Sequence, residues 1–231
     1  MPEIKRKTPV LINADFSRRA ALASKDQQWI PSPQAGIERV MLDRVGDERA
    51  RATSIVRYAA GAQFPHHQHP GGEEILVLSG TFSDEDGHYP AGWYLRNPPG
   101  SGHRPFSDDG AVIFVKLWQM PPDETRCIRI DTNDPTSWRR AGGREICPLF
   151  SAEEEQVCLL RLAGGQTVFP DPIGSAELLV LAGELRAGEQ SYDRGSWVRL
   201  PAGEYPEFVA ATGGVTLYLK TGHLSGTTGM V

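Results

Sequence analysis

The sequence predicts an all-β protein made of two jelly-roll β-barrels in tandem, and three observations carry that expectation. First, the chain repeats itself. Glu74-Ile-Leu-Val-Leu-Ser-Gly80 reads onto Glu177-Leu-Leu-Val-Leu-Ala-Gly183, and Gly92-Trp-Tyr-Leu-Arg-Asn-Pro-Pro-Gly100 reads onto Gly195-Ser-Trp-Val-Arg-Leu-Pro-Ala-Gly203. Both blocks hold the same shift of 103 positions, a period too long for a solenoid unit and suited to a duplicated small domain. Second, the apolar residues come in short runs rich in β-formers rather than at helical spacing. Third, the 25 Gly and 18 Pro fall between those runs as turn chemistry. Many short strands of this kind stay soluble when a barrel consumes its own sheet edges.

Each element follows in order. Residues 1–50 have no copy in the second half and read as an N-terminal extension packing on the first barrel, adding strands through Ile37 to Val45. Ser17 to Lys25 is a modest helix candidate. The first barrel is expected over 51–130. It opens with Arg51-Ala-Thr-Ser-Ile-Val-Arg-Tyr58, continues through the apolar run Ile75 to Leu78 closed by Ser79-Gly80, and ends with Val112 to Trp118. Asp84 to Gly87 and Pro90-Ala-Gly92 supply its turns. Residues 131–144, polar and carrying Pro and Gly, read as a linker. The second barrel occupies 145–231, with Val215 to Lys220 as the counterpart of Val112 to Trp118; Ser151 to Gln156 is its helix candidate.

Composition removes several classes of function. The 24 Lys+Arg against 29 Asp+Glu give a net charge of -5, with no basic block to coat a nucleic-acid duplex. The longest apolar runs are far too short to cross a bilayer. The basic start, Met1 to Lys7, is followed by no apolar stretch, so a secretory signal is not expected and the chain reads as cytoplasmic. Cys127, Cys147 and Cys158 are odd in number and form no CxxC pair, which reads as reduced thiols rather than a disulfide framework.

The chemistry is concentrated in Gly61-Ala-Gln-Phe-Pro-His66-His67-Gln-His69-Pro-Gly-Gly-Glu73-Glu74. Alternate residues of a strand share a face, so His67 and His69 can both point at one ion. Glu73 has the same parity, and His103 on a later strand can complete the set. Imidazoles with a carboxylate suit borderline divalent metals such as Zn, Fe, Mn, Ni or Cu. Glu74 competes with Glu73, and the repeat separates them. Glu74 has a counterpart in Glu177, whereas Glu73 falls on Ala176, His67 and His69 on Pro170 and Pro172, and His103 near Glu204-Tyr205. The second copy lacks all four ligands together, so one ion per chain is expected. His66 has the opposite parity and reads as solvent-facing or as a support behind the ligands, His88 in its turn reads as exposed, and His223 has no partner visible in the sequence.

The intervals from Gly61 through His67, His69 and Glu73 to Gly80 resemble the first motif of the cupin family. The second cupin motif is partial: Pro90-Ala-Gly92 fits, but Leu95 stands where its His would be. In this the chain is similar to the ChrR-type cupins, the C-terminal module of an anti-sigma factor, whose last ligand follows an Asn-Pro-Pro-Gly segment; here that is His103. The resemblance implies a metal-binding bicupin that senses or binds small oxidised molecules, with Zn as the expected ion and Fe, Mn or Ni open. It equally implies a second reading, a non-haem metal-dependent dioxygenase acting on a small diketone or hydroxyaryl ketone. Residues 1–50 contain neither His nor Cys, so a zinc-binding anti-sigma module is not expected there, nor a sigma factor as partner. A small-molecule ligand is expected, without nucleic acid or membrane, and a homodimer stays open. Phe64, Phe82, Tyr94, Arg96 and Trp118 are candidates to line the site, each with core packing as its alternative.

Overall fold

The computed structural model describes residues 10–47 and 49–224. They form two all-β units. The first comprises the described parts of Met1–Ala14 and Trp29–Arg129; the second comprises Asp15–Gln28 and the described part of Ile130–Val231.

In the first unit, antiparallel strands run across the sheet in the order Leu11–Ile12, Ile37–Val45, Arg51–Tyr58, Ala111–Leu117, Glu73–Asp84 and Trp93–Asn97. A two-stranded ladder pairs His67–His69 with Ser101–His103. The second unit repeats the plan: Arg139–Ala141, Arg144–Ser151, Gln156–Leu162, Phe208–Thr221, Ala176–Ala187, Trp197–Leu200 and Ala20–Leu22. Both are antiparallel jelly-roll arrangements. Among the described residues no helix is long and apolar enough to cross a membrane.

Strand alternation builds both cores. Ile75, Val77, Leu95, Ile113 and Val115 fill the first, and Leu178, Val180, Val198, Leu200 and Leu217 fill the second. Each such side chain contributes about 1.5–3 kcal/mol relative to exposure. The neighbouring parity carries charge. Glu74 lies across from Arg96 and Lys116, and Glu177 lies across from Arg199 and Lys220. All six are buried. Arg96 donates from Nη1 to Glu74 Oε2 at 3.2 Å, and Lys116 Nζ donates to Thr53 Oγ1 at 3.1 Å. The repeat seen in sequence therefore preserves a buried Glu–Arg–Lys set.

Three expectations are corrected. Residues 1–50 are not one extension on the first barrel: Ile37–Val45 is an internal strand of the first sheet, whereas Asp15–Gln28 belongs to the second unit. Ala20–Leu22 reaches it by pairing with Trp197–Leu200, an edge whose backbone groups need partners. The stretch 131–144 is not a bare linker, because Arg139–Ala141 pairs with Arg144–Ser151 as the outermost strand of the second sheet. Neither helix candidate forms. Ser17 to Lys25 contains the strand Ala20–Leu22 and the start of a 3-10 turn, and Gln156 opens a strand. In both cases sheet pairing overrides weak helical propensity.

One glycine position shows why the repeat is strict. Gly80 and Gly183 have φ of +67° and +74°, and a Cβ at either would strike the carbonyl oxygen of Gly110 or Gly214 respectively. Only glycine meets both demands. Gly80→Ala or Gly183→Ala should therefore lower unfolding free energy by about 1–3 kcal/mol in urea titrations. Gly174→Ala, where a Cβ meets nothing within 4 Å, should stay within about 0.5 kcal/mol.

Candidate metal centre

The centre is built on the short ladder, in which His67 lies opposite His103 and His69 opposite Ser101. Gln68 between them faces away and is exposed. The chain then turns at Pro70-Gly71-Gly72, with the Gly72 amide donating to His69 O at 3.0 Å. A side chain at Gly71 would meet the Trp118 ring at 2.5 Å, and one at Gly72 would collide with Met120. The tight turn returns the strand in phase, so Glu73 faces the same interior as the two histidines.

The ligand atoms of His67, His69 and His103 lie within 4.8 Å of one another. Glu73 Oε2 is 3.5 Å from His69 Nε2 and 3.4 Å from His103 Nε2. Three of the four groups are held from behind. Asn97 Nδ2 donates to Glu73 Oε2 at 3.0 Å. His67 Nδ1 lies 2.9 Å from Pro65 O; a carbonyl only accepts, so Nδ1 is the donor there, which turns Nε2 toward the site. His103 Nδ1 lies 3.1 Å from Asp84 Oδ2, the carboxylate–imidazole pairing that orients metal-binding histidines.

Electrostatics fits the same arrangement. Burial pulls the His69 imidazole below its ordinary pKa, opposed by Glu73 and reinforced by His103 and His67. Burial also acts downward on His103, but the Asp84 hydrogen bond and the charges of Glu73, Asp84 and Glu85 hold it above the ordinary value. Burial acts upward on Asp84, yet hydrogen bonds from His103 and the Asp86 amide, with the charges of His103 and Arg129, keep its carboxyl below the usual range. His69 Nε2 and His103 Nε2 are buried without a hydrogen-bond partner. Two orphaned imidazole nitrogens facing one carboxylate cost free energy unless something sits between them. A divalent metal fits this donor set.

The centre opens on a cavity of about 280 Å³ whose wall includes His67, His69 and Glu73. Tyr58, Phe64, Ile113, Leu117 and Trp118 make much of the remainder. Burial, and then the charge of Glu73, push the Tyr58 phenol well above its ordinary pKa, so it stays protonated. Trp118 holds φ of 58°, a conformation uncommon for a bulky residue and frequent at functional sites.

The structure brings His67, His69, Glu73 and His103 together and sends Glu74 to the Arg96 side of the sheet. Of the lining candidates, Phe64 and Trp118 border the cavity; Phe82 packs in the core, its ring 6.0 Å from His103. Tyr94 and Arg96 do not line it, because Leu95 and Asn97 hold the inward parity of that strand. Sequence reading passed over Asn97 and Asp84. The first lies inside the Asn-Pro-Pro-Gly segment, and the second was assigned to a turn. His66 and His88 are exposed, while His223 Nε2 meets Glu177 Oε2 at 3.2 Å. In the second barrel Phe169, Tyr205 and Phe208 pack with centroids 6.0–6.3 Å apart, filling its interior with aromatic rings.

Comparison with known proteins agrees with this architecture. Residues 17–121 match the ChrR cupin-like domain family, a match that begins inside the segment joined to the second unit. No curated protein matches the chain. Among solved structures, a candidate dioxygenase from Nostoc punctiforme is similar at 14% identity, covering 88% of this chain and 82% of its own, with a TM-score of 0.70. A bacterial pirin from Escherichia coli in complex with nickel(II) aligns at 11% identity over 88% and 98%, TM-score 0.62. A cupin 2 conserved barrel domain protein from Leptotrichia buccalis aligns at 14% over 83% and 91%, TM-score 0.57. Residues 17–121 are thus similar to the ChrR cupin-like domain, and the solved structures share the fold of this chain, two jelly-roll units.

Proposed function

We propose that the first barrel holds one divalent metal ion through His67, His69, Glu73 and His103 and uses it to bind and oxidise a small organic molecule in the adjoining cavity. One observation carries the reading: buried, unpartnered Nε2 atoms converge on a carboxylate at the wall of a cavity. An ion serving only to hold the fold would have its four ligands closed around it, as structural zinc does. Six-coordinate iron or manganese on the same four ligands would keep two positions for ligand and dioxygen. The similarity to a candidate dioxygenase agrees with oxygen-dependent cleavage of a small diketone or hydroxyaryl ketone. The ChrR-domain match favours a second reading, binding of the same class of molecule as a signal without turnover. The three free cysteines fit a reducing, cytoplasmic setting.

The ligand set is tested by metal analysis of protein purified without chelator or nickel column. His67→Ala and His103→Ala should lose most bound metal, and Glu73→Gln should lower it. Glu74→Gln should leave metal near wild type while destabilising the fold by about 3 kcal/mol, since it leaves the buried Arg96 poorly compensated. Asp84→Asn should weaken metal affinity about 10–100-fold, as loss of an orienting partner does. Wild type should bind close to one ion per chain, in the first barrel; two ions per chain, or an ion beside Glu177, would contradict this.

Turnover is tested with iron-loaded protein and an oxygen electrode. Substrate-dependent oxygen uptake on diketones or hydroxyaryl ketones, abolished in His67→Ala, is the expected result. Saturable ligand binding with no uptake would favour the signalling role.

A further inference from the structure

The strand Ile37–Val45 carries two arginines that ordinary alternation would place on opposite faces. Its register against Arg51–Tyr58 runs Arg39↔Val56 and Met41↔Ser54, then shifts between Met41 and Asp43, and resumes with Arg44↔Ala52. The extra residue, Leu42, is a β-bulge, and a bulge reverses the parity of everything beyond it. Arg39 and Arg44 thus both border the metal cavity, beside the inward-facing Ala52, Ser54 and Val56.

Both guanidinium groups are anchored by neutral acceptors. Arg39 Nη2 donates to Ser32 Oγ at 2.6 Å. Arg44 donates from Nε to Gly46 O at 3.2 Å and from Nη2 to Asp47 O. Among the described residues, no carboxylate forms an ion pair with either. The Asp47 charge acts on Arg44 from nearby. Burial, and then the charge of Arg44, pull Arg39 below the ordinary guanidinium pKa, so the two cations feel each other. The acid that borders this cavity, Glu73, is turned to His69, His103 and Asn97. Arg39 and Arg44 bring two like charges to a cavity whose bordering carboxylate, Glu73, is engaged elsewhere, which leaves a positive field at the arginine end. Guanidinium presents a planar fork that matches a carboxylate.

We propose that Arg39 and Arg44 form a carboxylate-binding subsite of the metal cavity, so that among small ketones it prefers those with a carboxylate at one end and an oxygen donor for the metal at the other. The proposal rests on the cavity being the ligand site and specifies the chemical class it takes. With a volume of about 280 Å³, just below the usual range for ligand pockets, the cavity suits a short oxo-acid.

The test uses full-length protein loaded with manganese(II) under anaerobic conditions, where six-coordination leaves positions open to a ligand, and titration calorimetry with two matched pairs: pyruvate against butanedione, and benzoylformate against phenylpropanedione. Each pair exchanges a carboxylate for an acetyl group. The acids should bind at least about tenfold more tightly than the diones, as loss of a charge-assisted contact predicts. Arg39→Met and Arg44→Met should each remove most of that preference while leaving dione affinity and manganese content unchanged, and Arg39→Lys should restore part of it. The acid–dione comparison on wild type needs no variant, so a poorly folding Arg44→Met would not remove the test. Equal or tighter dione binding, or an acid preference untouched in folded variants, overturns the arginine subsite alone. Binding of neither class in either pair overturns the cavity as a ligand site and the subsite with it.

Discussion

Strand parity, and the few places where it is broken, decides every chemical placement in this protein. Successive side chains point to opposite faces, so a single residue of register separates a ligand from a buried ion pair. Glu73 and Glu74 are the clearest case: one carboxylate faces His69 and His103, and the next faces Arg96. Two local devices adjust the pattern. The Gly71-Gly72 turn, packed against Trp118 and Met120, restarts the strand so that Glu73 keeps the face of His67 and His69. The bulge at Leu42 carries Arg44 to the face of Arg39.

Comparison of the two barrels separates what the fold requires from what the chemistry requires. Both keep the apolar alternation, the glycine with positive φ and the buried Glu–Arg–Lys set. Breaking such a buried charge set by removing one member costs several kcal/mol, a physical reason for its persistence in both copies. Only the first carries the imidazoles. In the second, Pro170 and Pro172 stand in their places, and Phe169, Tyr205 and Phe208 occupy the interior. An interior closed by aromatic packing pays for itself in buried area, whereas one opened around four polar ligands needs an ion to satisfy them.

Much of this was legible in the sequence because it is local or periodic. The repeat gave two all-β units; the parity of His67, His69 and Glu73, with the family resemblance for His103, pointed to one site, and the repeat distinguished Glu73 from Glu74. The rest depends on long-range pairing that local patterns do not encode. That Asp15–Gln28 joins the second unit rests on Ala20–Leu22 meeting Trp197–Leu200, more than 170 positions away. Asp84 looked like turn chemistry because only the folded barrel brings it to His103. Arg44 has the wrong parity until Leu42 is seen to bulge. Tyr94 and Arg96 were misplaced for the converse reason: their strand was recognised, but its inward face was not.

The central claim is that three imidazoles and the Glu73 carboxylate together bind one metal. X-ray absorption spectroscopy of protein loaded with one equivalent of zinc examines that shell directly. The account predicts nitrogen and oxygen scatterers alone at about 2.0–2.2 Å, with the multiple-scattering signature of several imidazoles, and one oxygen lost in Glu73→Gln. A sulfur scatterer at about 2.3 Å, which would bring in a cysteine, or a shell without imidazole scattering would contradict it.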